Sequence, residues 1–489
     1  MKAPRVLLAA LALAAAGARA NPGHPLERRI VSVRVTYQSW NEYRPWAKNQ
    51  PGTRACSGLV VAGPRILIPW QLVEDATLVQ VLKYDRPPRV PARVAHADPQ
   101  ADLALLAVDE PGFFDDLAPA PVAAEARLGP ALSAGWRDGQ LVTAACRFSR
   151  SVADESRVPH LYGVALRFVT DLKGGGWGEP LFSGDEMIGL AQYQDEDTLT
   201  VIPAESVRAF LDAVDSGRPY PGRAFFGGHE QYNRNAAQLA WLGMPGPPRG
   251  VMLRYAVPGG SFDGVLRERD VLLEIDGRPV GCEGDILHPR YGRLSFDVLA
   301  SGRLAEGTMP ARVFRDGREQ SLDIPLRHLP AGAAPVPDRR VDAPPPYLVA
   351  GGFVFRELDA EYLRAWGDEW RDRAPRRLRI HLEMSGMGLP AGRRRFIVLS
   401  HVLPDAFNVG YHDLDNLVVD DVNGRRIESI RDLDRAFAAP AGEYHVVRFV
   451  PNSERRTVVL DAAALDAATA GIMEAYQIPA RARFRDDPP

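Results

Sequence analysis

The chain has 489 residues, of which 46% are hydrophobic and 25% are charged, and its formal net charge at pH 7 is −3. This length exceeds what one hydrophobic core supports, so several domains are expected, and the composition is that of a globular protein rather than a disordered or fibrous one. The acidic balance argues against nucleic acid as a partner.

The first 20 residues have the pattern of a secretory signal peptide. Lys2 and Arg5 precede an apolar run over residues 6–16, and Ala18-Arg19-Ala20 matches the small-residue pattern of a cleavage site. The apolar run is too short to span a bilayer, and no later stretch is a transmembrane candidate. We therefore predict a protein that is secreted across the inner membrane and located in the periplasm.

Residues 27–222 predict an all-β barrel or sandwich. Short apolar or alternating segments occur at 30–36, 57–63, 65–68, 78–82, 90–94 and 102–108, separated by turns. Residues 203–214 predict a helix, with its apolar residues on one face.

Two further domains are predicted, at 225–330 and 347–480, joined by a semi-rigid proline-rich linker over 331–346. Residues 270–280 and 416–427 repeat one element. Each has an apolar strand, an Asp-Gly or Asn-Gly turn, a basic residue and then an apolar residue. The repetition indicates two related domains.

Cysteine is sparse, with Cys56, Cys146 and Cys282 in the whole chain. An oxidising compartment would allow one disulfide, and Cys56 with Cys146 is the favoured pair, the alternative being free buried cysteines. The spacing of Cys and His fits no zinc site, so neither a metal nor another cofactor is expected.

Residues 171–182 (Asp-Leu-Lys-Gly-Gly-Gly-Trp-Gly-Glu-Pro-Leu-Phe) resemble the nucleophile loop Gly-Asn-Ser-Gly-Gly-Pro-Leu of the HtrA/Deg serine proteases. Alignment on Pro180-Leu181 puts Trp177 where that family has its nucleophilic serine and Glu179 where it has the second following glycine. An indole N–H can donate a hydrogen bond but cannot attack a carbonyl.

Three other stretches carry the same resemblance. Residues 65–76 look like the family's histidine segment, with Gln71 at the general base, and residues 98–106 resemble the segment of the triad aspartate, with Asp102 in that place. Residues 201–211 match the helix that ends the protease domain. The resemblance implies a mainly β fold, a chymotrypsin-like double β-barrel followed by two PDZ or PDZ-like α+β domains, in oligomers that are commonly trimers.

A triad needs a nucleophile, a base and an orienting acid. Glutamine cannot take a proton from a hydroxyl, and His96 and His160 are interpreted as ordinary surface histidines. Asp102 is expected to be a buried, satisfied acid, and Trp177 is expected to plug the vacated cleft. No intact catalytic site is therefore predicted.

By resemblance to PDZ domains, a peptide would add as a strand beside residues 250–253, that is Gly250, Val251, Met252 and Leu253. Arg249 would help to hold a terminal carboxylate, although Pro247 and Pro248 lack the N–H donors that such a loop uses. Phe296 and Leu299, on a short helix predicted at 295–300, would line the groove, the alternative being that both are core residues.

The function predicted is that of a secreted, catalytically inactive HtrA/Deg-like protein, a pseudoprotease. It would bind peptides or unfolded proteins, or scaffold an envelope assembly. Two alternatives stay open, an active serine endopeptidase with a rearranged site and a purely structural assembly protein whose PDZ grooves are occupied internally.

Overall fold

The computed structural model describes residues 19–20, 23–155, 161–244, 246–330, 332–340, 343–385, 393–451 and 456–485. Strands dominate these residues and form separate sheets in three successive units. The mainly β fold is therefore confirmed.

The first unit contains thirteen of the described strands and one α-helix. These are β1 (Arg19–Ala20), β2 (Ile30–Tyr37), β3 (Gly52–Val61), β4 (Arg65–Ile68), β5 (Ala76–Lys83), β6 (Val90–Asp98), β7 (Leu103–Ala107), β8 (Pro130–Arg137), β9 (Gln140–Glu155), β10 (Tyr162–Thr170), β11 (Pro180–Ser183), β12 (Glu186–Asp195), β13 (Thr198–Pro203) and α1 (Ala204–Asp215).

Twelve of these strands close into two barrels. The first has the order β2-β3-β4-β7-β6-β5. The second runs β8-β9-β10-β13-β12-β11 and closes because β11 pairs with β8, while β1 lies outside it against β9. Alternation along β2 explains the first barrel, since Val31, Val33 and Val35 are buried in its core. Phe182 and Phe210 join a separate core between the barrels and α1, which makes the first unit a double β-barrel.

The second unit has one main sheet with the strand order β14-β15-β16-β20-β21 and a separate hairpin, β18–β19. Its elements are β14 (Gly228–Tyr232), α2 (Ala236–Trp241), β15 (Val251–Ala256), β16 (Val271–Ile275), β17 (Arg278–Pro279), β18 (Asp285–His288), β19 (Gly292–Ser295), α3 (Val298–Ser301), β20 (Thr308–Arg315) and β21 (Arg318–Pro325).

The third unit has a longer sheet with the order β28-β27-β25-β24-β23-β22-β29. Its elements are β22 (Tyr347–Ala350), β23 (Phe353–Glu357), α4 (Ala360–Arg364), α5 (Trp370–Arg373), α6 (Arg376–Ser385), β24 (Ile397–Val402), β25 (Leu417–Val422), β26 (Arg425–Arg426), α7 (Ile430–Phe437), β27 (Tyr444–Phe449), β28 (Thr457–Asp461), α8 (Leu465–Ala475) and β29 (Ala482–Arg483).

The second and third units each have a sheet of their own, and the two sheets have the same design. β16 and β25 each continue into a tight turn and a two-residue return strand, β17 or β26. Both turns have two successive residues at positive φ, Asp276-Gly277 and Asn423-Gly424, as the sequence pattern predicts. Strands β14-β15-β16-β20-β21 therefore correspond to β23-β24-β25-β27-β28, and β22 and β29 are additional strands of the third unit.

Both later units pack on the double barrel. Tyr291, Leu294 and Val298 of the second unit join the core of the second barrel. The third unit contacts the first through a buried charge cluster. The Arg356 guanidinium donates to the backbone oxygen of Glu42 at 2.6 Å and to the Glu42 carboxylate at 2.7 Å.

Residues 332–340 of the predicted linker lie against the third unit instead of spanning open space. Val336 is buried beside Leu358 and Leu378, and Arg340 pairs with both Glu42 and Asp359. This stretch therefore belongs to the packed interface between the first and third units.

The three cysteines are all unpaired, so the favoured Cys56–Cys146 disulfide is absent from the structure. Both of these cysteines are buried, and burial raises the pKa of Cys56 to about 12. They act as small apolar residues of the core, which is the alternative that the sequence left open.

Candidate functional site

Gln71 and Asp102 lie together, as the resemblance predicts. Gln71 is in a short 3₁₀ turn, Trp70–Leu72, after β4, and Asp102 immediately precedes β7, the strand paired with β4. Asp102 Oδ1 accepts the backbone N–H of Gln71 at 2.7 Å, and Oδ2 accepts Gln192 Nε2 at 2.9 Å. The Gln71 side chain donates to the backbone oxygen of Gln192 at 2.8 Å. Gln71 and Gln192 thus both donate to the carboxylate of the buried aspartate.

The glycine turn that carries Trp177 lies beside the Gln71 turn. A Cβ on Gly178 would lie 2.5 Å from the carbonyl oxygen of Ser57 and 3.3 Å from Leu72 Cδ1. The oxygen of Trp177 accepts the N–H of Ser57 at 2.8 Å. Residues 71, 102 and 177 are therefore neighbours in space.

The prediction that Trp177 plugs the cleft is wrong. Its side chain is 45% exposed, whereas a plug would be buried. The turn approaches β12 so closely that a Cβ on Gly176 would lie 2.3 Å from the backbone of Tyr193. This approach holds the turn in place and leaves the indole at the surface.

Glu179 occupies the N–H donors of the turn. Its carboxylate oxygen Oε2 accepts the N–H of Gly176 at 2.9 Å and that of Trp177 at 2.7 Å, and the N–H of Gly175 donates to Gln194 Oε1 at 2.5 Å. Glu179 is only 4% exposed, and Arg137 Nη2 donates to its other oxygen at 3.3 Å. Three successive N–H groups are thereby bound to side chains of the same chain.

The resemblance placed Glu179 where the family has a glycine but did not show that its carboxylate binds the N–H groups of the turn. The spacing was a usable signal, because a carboxylate two residues after a glycine turn is within reach of the N–H groups of that turn. No such signal existed for the hydrogen bonds of Gln192 and Gln194, since Gln192 is 90 residues from Asp102 in the sequence and Gln194 is 19 residues from Gly175.

No substitute catalytic pair is found among the described residues of the first unit. His96 is exposed on β6, and His160 lies outside the described residues. Ser57 is buried within β3, and Ser183 ends β11 after the glycine turn. Within the described residues neither serine is hydrogen-bonded to a histidine, so neither belongs to a serine–histidine pair there.

The peptide-binding strand predicted at 250–253 is wrong. Strand β15 pairs with β14 on one edge and with β16 on the other, so both its edges are occupied. Gly250 precedes it in a turn whose N–H bonds the oxygen of Val280 at 2.9 Å, and the oxygen of Arg249 accepts from Asn233. Arg249, Gly250, Val251, Met252 and Leu253 therefore present no free strand edge.

Phe296 and Leu299 are both buried, as the alternative interpretation held, but α3 begins at Val298, so only Leu299 lies on the helix. Phe296 packs against Phe226 and Phe262 with ring centroids 5.7 and 6.3 Å apart. Leu299 joins the same core and also lines a cavity of about 510 Å³ between the first and second units, next to Gln71, Asp102 and Gln192. Phe296 does not line a peptide groove.

Within the described residues, the exposed sheet edge beside α3 belongs to β14, which pairs only with β15. A groove of about 450 Å³ follows this edge and includes Glu230 of β14 and Asp297, which immediately precedes α3. In the third unit the corresponding strand, β23, pairs with β22, and β22 in turn pairs with β29. The second unit has an open edge where the third has a covered one.

The described residues contain no cluster of three or more metal-ligating side chains. Within the same residues, none of the helices combines the length and apolar character needed to cross a bilayer.

Two closed barrels followed by two sheets of common design define a protein of the trypsin-like class with appended PDZ-type domains, and comparisons with known proteins agree. A PDZ domain family model matches residues 336–483. Protease Do-like 4, mitochondrial, of Arabidopsis thaliana is 26% identical over 456 residues, covering 92% of this chain and 84% of its own. Protease Do-like 2, chloroplastic, of the same plant is 26% identical over 462 residues, covering 92% and 74%.

Among solved structures, one titled "HtrA-type protease AlgW with decapeptide" aligns with a TM-score of 0.46 and 15% identity, over 62% of this chain and 97% of that one. Over most of its length the chain is similar to these Do-like proteases of the HtrA/Deg family, and its residues 336–483 match the PDZ domain family.

Proposed function

We propose that this protein is a catalytically inactive Do-like protein that holds extended peptides or unfolded proteins instead of cutting them. The observation that carries the proposal is the Glu179 carboxylate bound to the N–H groups of Gly176 and Trp177. On the alignment with Gly-Asn-Ser, the donors that would have to receive a developing oxyanion are the N–H groups of Trp177 and Gly175, and the N–H of Gly175 is bound to Gln194.

The chemistry fails at three separate points. Trp177 offers no nucleophile, and Gln71 no base. The donors of the turn are already bound to the side chains of Glu179 and Gln194, and losing a single oxyanion-hole donor alone costs about 10²–10³ in kcat. The three losses support inactivity more strongly than any one of them, because restoring one leaves the other two.

The test of inactivity uses the mature protein with a fluorophosphonate probe for active serines and labelled casein as substrate. We expect no labelling and no hydrolysis above a blank. Labelling that disappears when one serine, such as Ser57 or Ser183, is changed to Ala would instead support the rearranged endopeptidase.

Peptide binding is proposed at the open edge of β14. An unpaired edge offers backbone N–H and C=O groups, and an extended peptide that adds there gains main-chain hydrogen bonds. The groove between β14 and Asp297 has room for such a strand.

Hydrogen–deuterium exchange of the full mature chain, with and without an extended peptide, tests this site. We expect protection in residues 228–232 and 297–301. Protection confined to residues 250–253 or 347–357 would contradict the proposal.

The third unit supports a structural role, the second candidate. Both edges of β23 are paired, and Arg356 and Arg340 tie this unit to Glu42 of the first. We infer that it fixes the geometry of the chain, in keeping with a scaffold of an envelope assembly. Export to the periplasm is part of the same proposal, and mass spectrometry of the exported protein should find Asn21 at its N-terminus.

A further inference from the structure

The described lining of the groove beside β14 contains two acidic side chains and no lysine or arginine. Its described lining consists of Tyr162, Phe225, Gly227, Gly228, His229, Glu230, Gln231, Tyr232 and Asp297. Both acids come from elements that a bound strand would touch, Glu230 from the open edge strand and Asp297 from the residue preceding α3. A peptide in the groove would therefore meet negative charge.

One oxygen of the Glu230 carboxyl group is buried at this edge without a hydrogen-bond partner in the described part of the chain. It lies over Gly228, where a Cβ would be 2.2 Å from Oε1 and 3.0 Å from the Phe262 ring. Oε1 is shielded from solvent and has no hydrogen-bond partner among the residues that the structure describes. A buried carboxyl oxygen without a donor is costly, so a ligand that supplies a donor gains that free energy on binding.

Asp297 adds a second acceptor with a fixed position. The Ser295 hydroxyl donates to its Oδ2 at 2.7 Å. Glu230 and Asp297 both line this groove, so a cation bound in it meets both carboxyl groups.

We propose that the β14 groove selects an extended segment carrying a lysine or arginine side chain, whose cation is held by Glu230 and Asp297. The proposal rests on the peptide binding proposed above and names the chemistry of the peptide. It also predicts that a free C-terminal carboxylate is a poor ligand, because an anion would be placed beside two acids.

The pKa values of the two carboxyl groups agree with a basic ligand. Burial raises the pKa of Glu230 to about 8, with a further contribution from the charge of Asp297, and burial raises the pKa of Asp297 to about 6. The other titratable groups lining the groove are His229, Tyr162 and Tyr232. A cation favours the ionised carboxylates, so binding of a basic segment should release protons and tighten as pH rises through 6–8.

The experiment uses fluorescein-labelled octapeptides of alternating Thr and Val, acetylated and amidated so that neither end is charged. One position at a time is replaced by Lys, Gln or Glu, and the Kd for the full mature chain is measured by fluorescence polarisation at pH 6.5 and 8.5. Glu230→Gln and Asp297→Asn are the test variants, and Glu268→Gln, an exposed acid outside the groove, is the matched control.

At the best position and pH 8.5, Lys should bind about tenfold more tightly than Gln, as expected for a desolvated charge pair, and Glu should bind more weakly than both. The advantage of Lys should shrink several-fold in Glu230→Gln and in Asp297→Asn and stay unchanged in Glu268→Gln. It should also fall several-fold at pH 6.5 in the wild type, as in Glu230→Gln, because most of Glu230 is then protonated.

Three outcomes would overturn the inference. If peptides protect residues 228–232 from exchange but Lys and Gln bind equally at every position, the peptide site stands and the choice of a cation is wrong. If Glu230→Lys, with an unchanged melting temperature, still prefers Lys over Glu, the carboxyl group is not the determinant. If no peptide protects residues 228–232, the peptide site itself is wrong and the inference falls with it.

Discussion

The second and third units contain the same five-stranded arrangement, but its edge strand is open in the second unit and covered in the third. In the second unit, β14 pairs on one side only and borders a groove with two acids. In the third unit, the equivalent strand β23 is covered by β22, all four residues of which are buried, and β22 is covered by β29. The same fold thus provides one edge for a partner and one edge for the stability of the chain.

The source of the covering strands explains the difference. β22 is joined to β23 by the tight Gly351-Gly352 turn, and β29 comes from the end of the described chain. Phe484, just after β29, packs on the core of the third unit, and Arg431 of α7 lies over its ring at 4.8 Å. A hairpin needs little loop-closure entropy, so β22 forms a permanent cover.

The largest effect is expected at the ion cluster that fixes the third unit. Arg356→Ala leaves Asp359, which is buried, and Glu42 with less positive charge, and should lower the free energy of unfolding by about 3–5 kcal/mol in urea titrations. Arg373→Ala removes an exposed pair with Glu369 and should cost less than about 0.5 kcal/mol. Equal losses in the two variants would show that the cluster does not fix this unit.

The contrast between the edges is tested by truncating one side chain in each. Leu348 of β22 is fully buried, so Leu348→Ala should destabilise the protein by about 2–4 kcal/mol. Tyr232 of β14 is 54% exposed, and Tyr232→Ala should change stability by no more than about 0.5 kcal/mol. Thermal unfolding gives both values, and a larger loss for Tyr232→Ala would mean that β14 is covered as well.

The pH dependence of stability tests the acidic groove without a ligand. The folded-state pKa of Glu230, about 8, exceeds its ordinary value of 4.5, so the folded protein keeps a proton that the unfolded chain loses. This contribution to stability is therefore fully present below pH 4.5 and is lost as pH rises through 8.

Glu230→Gln should abolish that loss. The free energy of unfolding of the variant, minus that of the wild type, should therefore rise by roughly 1–3 kcal/mol between pH 5 and pH 8.5. Glu268→Gln should behave as wild type at both pH values. A pH profile of Glu230→Gln parallel to that of wild type would mean that Glu230 is not buried as described.

The smallest effect is expected at the outermost strand. Phe484→Ala removes an apolar contact that is only partly buried and should cost about 1 kcal/mol. Hydrogen exchange should then rise in residues 347–350 and stay unchanged in residues 228–232. If exchange stays unchanged in both segments, β29 does not protect the third unit.

Most of the architecture could be predicted from the sequence because it depends on local patterns. Alternation predicted the barrel strands, such as 30–36, and the apolar face with Val207 and Phe210 predicted α1. The Asp276-Gly277 and Asn423-Gly424 turns predicted the common element of the two later units, since only a few residue types adopt positive φ at low cost. The lack of a base at Gln71 and of a nucleophile at Trp177 could also be predicted, because it follows from residue chemistry alone.

The tertiary structure decided which groups meet. Whether Glu179 would repel an oxyanion or take its place depended on the path of the glycine turn against β12, and the exposure of Trp177 depended on the same contact. The peptide edge was assigned to β15 because strand patterns do not reveal which strand is outermost. Pairing across a sheet is a long-range choice, and in this protein it left β14 open and covered β23.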